Sequence, residues 1–154
     1  MPTSIGCSPP PRPRVYLIDT NVISEARKKG RANPGVTGFL REGAALGQPL
    51  HLSAISVGEL RGGVELIRHR GDLPQADLLD TWLGEVLDDY RNHILAFDAD
   101  AAQVWGRLRV PHPERELDKQ IAAIALVNSL TVVTRNTADF AGTGVSLLNP
   151  FLPA

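Results

Sequence analysis

The chain has 154 residues, enough for one domain with a single sizeable core and too few for two independent ones. Its 43% hydrophobic and 21% charged residues exclude a disordered or fibrous chain, and no run reaches the roughly eighteen apolar residues of a membrane span. A formal net charge of −1 argues against indiscriminate binding of polyanions, and the single cysteine, Cys7, excludes an internal disulfide or a cysteine-built zinc site.

Residues 1–14 are rich in proline, include Pro9-Pro10-Pro11 and show no apolar periodicity, so they are expected to form an extended or disordered leader. The domain is expected to fill residues 15–154. Translation beginning near Val15 would account for a leader without a fold signal. The leader lacks the apolar segment of a secretory signal, and the cysteine usage suits a reducing compartment, so a cytoplasmic protein is expected.

Val15-Tyr16-Leu17-Ile18 is a short apolar run suited to a buried strand, and Asp19-Thr20-Asn21 follows it directly. A basic cluster, Arg27, Lys28, Lys29 and Arg31, comes next. Asn33-Pro34 reads as a helix N-cap with proline at the first helical position. Leu50-His51-Leu52 is the second strand. Ser56 and Glu59 have the spacing of a capping box, which would put Glu59 in the first turn of its helix, with Arg68 and Arg70 further along. Pro74 opens a helix with an apolar stripe of Leu78, Leu79, Trp82, Leu83, Val86 and Leu87. Ile94 to Phe97 is the third strand and Thr131-Val132-Val133 the fourth, with Asp118 near the start of the helix between them. The segment Thr134-Arg135-Asn136-Thr137-Ala138-Asp139-Phe140 follows, and Val145 to Leu148 adds a last strand before Asn149-Pro150. Strands alternating with helices predict a three-layer α/β/α sandwich around a mainly parallel sheet.

In such sheets the strand-to-helix loops converge beyond the carboxyl ends of the strands. Asp19, Glu59, Asp118 and Asp139 all fall where they can share that edge. Each acid also has a plainer reading. Asp19 can cap the next helix. Glu59 can bond the backbone of its capping box, and Asp139 can be an ordinary turn residue. Asp118 is harder to explain away, because Ile121, Ala122 and Ala125 put it on the buried face of its helix, where a charge requires a partner. Grouped carboxylates repel unless a cation lies among them, and all-oxygen donors favour Mg²⁺ or Mn²⁺. That chemistry suits hydrolysis of a phosphodiester. Thr20, Asn21, Thr134 and Asn136 are placed to hold the carboxylates or bound water in direction. The histidines His51, His69, His93 and His112 are dispersed along the chain and suggest surface or core roles, and Trp82 and Trp105 fall in apolar helical patterns that suggest packing.

Together these segments resemble the PIN-domain nucleases, and among them the VapC-type toxins of bacterial toxin–antitoxin pairs in their FitB-like subgroup. The resemblance runs from Val15 to about Phe151. It is carried by Val15-Tyr16-Leu17-Ile18-Asp19-Thr20-Asn21-Val22-Ile23-Ser24-Glu25, by Ser56-Val57-Gly58-Glu59-Leu60-Arg61-Gly62-Gly63, by Asp118-Lys119-Gln120-Ile121-Ala122-Ala123 and by Val133 to Phe140. It implies Mg²⁺- or Mn²⁺-dependent endonucleolytic cleavage of RNA, with transfer RNA the family-level expectation for the substrate. It also implies a cognate VapB-type antitoxin whose tail fills the groove beside the acids, and a homodimeric toxin. Asp19, Glu59 and Asp118 match the metal-binding acids, Asp139 a fourth and more variable one, and Asn21 and Thr134 the supporting polar positions.

Two other enzymatic readings fit less well. A haloacid dehalogenase-type phosphatase needs an aspartate two residues after the first, where this chain has Asn21, and a receiver domain needs paired acids that are not evident. A non-catalytic module that binds RNA or a partner through its acids remains the alternative.

Overall fold

The computed structural model describes residues 14–153, so apart from Arg14 the expectations for the leader lie outside the described residues. The short apolar runs become five strands: β1 (Tyr16–Ile18), β2 (Leu50–Ser53), β3 (Ile94–Leu95), β4 (Thr131–Val133) and β5 (Ser146–Leu148). They form one all-parallel sheet in the order β3-β2-β1-β4-β5. Tyr16 is level with Leu50 on one side and Thr131 on the other, so β1 is central.

Six helices cover the sheet: α1 (Thr20–Ala26), α2 (Pro34–Ala45), α3 (Ala54–His69), α4 (Leu73–Asp89), α5 (Ala99–Leu108) and α6 (Glu116–Val127). The period-two alternation of a strand sends successive side chains to opposite faces. Tyr16 and Ile18 accordingly pack with Val22, Val36, Leu60 and Leu83 of α1 to α4, while Leu17 packs with Ile121, Ile124, Val132 and Phe140 on the α5–α6 side. Each such buried aliphatic side chain contributes about 1.5–3 kcal/mol. The three layers are therefore those expected.

Asn33 caps α2 through its side chain, which accepts from Gly35 N at 2.9 Å, and Pro34 is the first helical residue. Asp72 caps α4, whose second residue is Pro74. The α4 stripe needs one correction: Leu79, Leu83 and Val86 are buried in the core that α4 shares with α3, but Leu78 lies off that face and is 67% exposed. The histidines are not all dispersed in space, since the His51 and His93 rings meet edge to face with centroids 5.1 Å apart. Arg68 is tied to Asp77 at 3.0 Å and Asp80 at 3.3 Å, so it joins α3 to α4 instead of standing free for a polyanion. Among the described residues no helix is long and apolar enough to cross a membrane.

Candidate active site

The strand order reverses direction at β1, whose neighbours β2 and β4 are reached by crossovers running opposite ways. A crevice forms at such a switch point beyond the carboxyl ends of the strands. Asp19 leaves β1 there and Thr134 leaves β4 beside it; the Asp19 amide donates to the Val133 carbonyl at 2.9 Å, which fixes the two loops to each other.

Asp19 is only 6% exposed, and both of its carboxylate oxygens accept hydrogen bonds. Oδ1 accepts from the Thr20 amide at 2.8 Å. Oδ2 accepts from Thr134 Oγ1 at 2.8 Å and Asn21 Nδ2 at 3.3 Å. The helix-cap reading of Asp19 is thus correct as far as it goes, for Asp19 is the N-cap of α1, but only one of its oxygens serves the cap. Thr134 is wholly buried and its hydroxyl also accepts from Asn21 Nδ2 and the Asn136 amide, both at 3.1 Å. Asn21 Oδ1 accepts from the Arg135 amide at 3.0 Å, so the β4 loop is tied to α1 at two points. Asn136 takes part through its backbone amide rather than its side chain.

Glu59 differs from expectation in its local setting. Ser53, not Ser56, caps α3, its hydroxyl accepting from Ser56 N at 3.0 Å, so Glu59 lies in the second helical turn and no capping box forms. Its Oε1 instead accepts from Thr20 Oγ1 at 3.2 Å, across 39 residues of sequence. Asp118 is the third residue of α6 and half-buried, while Ile121, Ala122 and Ala125 on the same face are buried. Asp139 lies in a 3-10 turn, Thr137–Phe140, anchored by the buried Phe140.

The acids act on one another. Burial pushes the Asp19 carboxyl above the ordinary aspartate value against the hydrogen bonds from Thr134, Thr20 and Asn21, and the Asp139 charge pushes it the same way. Burial also raises Glu59, opposed by the Thr20 bond and reinforced by the charges of Asp19 and Asp118. Asp118 is raised by burial and by Asp19 and Asp139, with Arg115 opposing. Four segments far apart in sequence thus place four carboxylates within electrostatic reach. As the side chains stand, no three of the His, Cys, Asp and Glu residues described converge closely enough to hold a metal ion. Three of the carboxylates are turned to partners of their own, Asp19 to Thr134 and Asn21, Glu59 to Thr20 and Asp139 to Arg115 at 2.6 Å. The donor set is nonetheless all carboxylate oxygen, and the mutual repulsion is what a hard divalent cation relieves, so the residues fit Mg²⁺ or Mn²⁺ by chemistry.

Arg115 has no role in the sequence reading. Its position three residues before Asp118, at the N-cap of α6, is the signal that could have found it.

Fold and site define an α/β/α protein with an acidic centre at the switch point of a parallel sheet. A family model for the PIN domain matches residues 16–144, and the chain belongs to the PIN-domain family. It is 34% identical over 147 residues to VapC ribonuclease Y4jK of Sinorhizobium fredii, covering 91% of this chain and 100% of that protein. It is 34% identical over 143 residues to toxin FitB of Neisseria gonorrhoeae, covering 89% and 99%. The crystal structure of FitAcB from Neisseria gonorrhoeae superposes with a TM-score of 0.73 at 33% identity, over 88% of this chain and 98% of that one.

Proposed function

We propose that this PIN-domain chain is the toxin of a toxin–antitoxin pair and a divalent-metal-dependent endoribonuclease that hydrolyses RNA phosphodiesters. The observation that carries the reading is the gathering of Asp19, Glu59, Asp118 and Asp139 at the switch point, where each of the first three feels the charge of at least one other. The names of the two relatives, a VapC ribonuclease and a toxin, support the same activity and role. The partner is then a VapB-type antitoxin, the toxin a homodimer and transfer RNA the first substrate to try.

In this reading Asp19, Glu59, Asp118 and Asp139 hold Mg²⁺ or Mn²⁺. Once bound, the cation supplies Lewis acidity and charge neutralisation for attack of water on phosphorus. The chain supplies position. Thr134, Asn21 and the Thr20 amide fix both oxygens of Asp19, and Thr20 Oγ1 steadies Glu59, so α1, α3 and the β4 loop hold one constellation. Burial of Asp19 keeps water off the carboxylate at the base of the site.

The test is cleavage of a total RNA pool by the purified chain with Mn²⁺ or Mg²⁺, beside EDTA and an Asp19→Asn control. Defined fragments lost in both controls are expected. Absence of cleavage by a folded, metal-supplied and antitoxin-free chain over a wide range of RNAs would overturn the nuclease reading in favour of a binding module.

A further inference from the structure

Among the described residues, Arg115 is the cation in direct contact with an acid of the centre. Its Nη1 lies 2.6 Å from Asp139 Oδ1 while its side chain is 56% exposed, against 27% for Asp139. The neighbouring cations are committed elsewhere. The Arg135 guanidinium lies 5.0 Å above the Phe151 ring, Arg109 pairs with Glu116 at 3.1 Å and Lys119 Nζ donates to the His112 carbonyl.

Arg115 is also held unusually. It precedes α6 with φ 57° and ψ 53°, in the left-handed region that non-glycine residues rarely adopt, and its side chain makes no capping bond to the helix. An exposed ion pair contributes little to stability, so fold stability is a poor reason for keeping an arginine in that conformation. Its placement beside the acids offers a better one. A polyanion approaching four carboxylates is repelled, and a guanidinium at their rim offers the planar fork that binds phosphate oxygens in pairs.

Resting on the ribonuclease reading of this centre, we propose that Arg115 is a substrate-positioning residue. Its guanidinium sits on Asp139 in the free chain and transfers to a phosphate of the RNA strand when substrate enters. Asp139 is thereby released to join the other acids, so substrate arrival and completion of the acidic centre are coupled through one side chain.

The test separates binding from turnover. RNA affinity is measured by fluorescence anisotropy with a labelled single-stranded RNA in the Asp19→Asn chain, with and without Arg115→Ala or Arg115→Lys; the parent chain in EDTA is a second non-cutting background. Arg115→Ala is expected to weaken binding about tenfold and to reduce the slope of log affinity against log salt by about 0.7, the loss of one phosphate contact on a single strand. Arg115→Lys should restore the slope and only part of the affinity, because an ammonium keeps the charge without the fork. In the cleaving chain the same Arg115→Ala change should raise KM more than it lowers kcat. Unchanged affinity and salt slope would overturn the proposal, whatever happens to kcat, since Arg115 would then act on Asp139 alone. Cleavage with Arg115-independent binding overturns this proposal only. Arg115-dependent binding by a chain that never cuts overturns the nuclease reading only. Failure of both backgrounds to bind RNA overturns both.

Discussion

Replacing Thr134 by valine isolates what orients Asp19. The two side chains are nearly isosteric and residue 134 is wholly buried, so packing is preserved while the hydroxyl is lost. Three hydrogen bonds go with it: the 2.8 Å donation to Asp19 Oδ2 and the 3.1 Å acceptances from Asn21 Nδ2 and the Asn136 amide. A bond to a charged group contributes about 1.5–3 kcal/mol and a neutral one about 0.5–1.5. The Asn136 end is open to water and recovers part of its loss, so the expected destabilisation is about 2–4 kcal/mol. For a domain of this size that lowers Tm by roughly 6–15 °C at neutral pH, read by thermal melting in EDTA. The bond favours the charged carboxylate, so its removal raises the Asp19 pKa further. The stability gap between variant and parent should accordingly be full above the folded pKa of Asp19 and shrink as pH falls through it. RNA cleavage should fall at least about tenfold, as for other partners that orient metal-ligating groups. A Thr134→Val chain melting within about 2 °C of the parent and cleaving at its rate would refute this account of Asp19.

Asp118→Asn should stabilise the metal-free chain while abolishing cleavage. The folded chain binds the Asp118 proton more tightly than the unfolded chain, whose value is near 3.8, so stability falls as pH rises from there through the raised folded pKa and the penalty is full above it. A higher Tm of the variant in EDTA at neutral pH, vanishing toward acid pH, checks the sign; a lower Tm at neutral pH would contradict it. Mn²⁺ at a hundredfold excess over its Kd should stabilise the parent by about 2.7 kcal/mol, and Asp19→Asn should lose most of that gain. Equal shifts in the two chains by scanning calorimetry would place the cation elsewhere. Gly35→Ala should destabilise by about 1–3 kcal/mol through overpacking, because an added Cβ would stand 2.1 Å from the Pro150 carbonyl and 2.8 Å from the Leu152 amide. Leu152 is bonded to Asn33 at 3.0 Å in both directions, so the variant should also expose the C-terminal segment to protease, and unchanged protection would refute the close approach.

The sequence alone determined the layers and their contents. Short β-branched and aliphatic runs such as Val15 to Ile18 and Thr131 to Val133 can be satisfied only by burial on both faces, and proline and Asx caps such as Asn33-Pro34 mark helix starts by local backbone chemistry that needs no distant partner. The acids were legible for the same local reason, since each follows a strand or sits on a helix face that a lone charge would not choose. Tertiary structure decided what those local signals leave open. Ser53 takes the α3 cap in place of Ser56 because the helix begins directly after β2, three residues before the start that the capping-box spacing suggests, and that puts Glu59 a turn further along the helix, where it meets Thr20. Leu78 faces water although it fits the stripe, because the stripe is wider than the face of α4 that packs with α3. The bond of Thr134 to Asp19 across 115 residues depends on the strand order at the switch point, a property of the whole sheet that no window of sequence encodes, and the pairing of Arg115 with Asp139 depends on how the start of α6 seats against the 3-10 turn after β4.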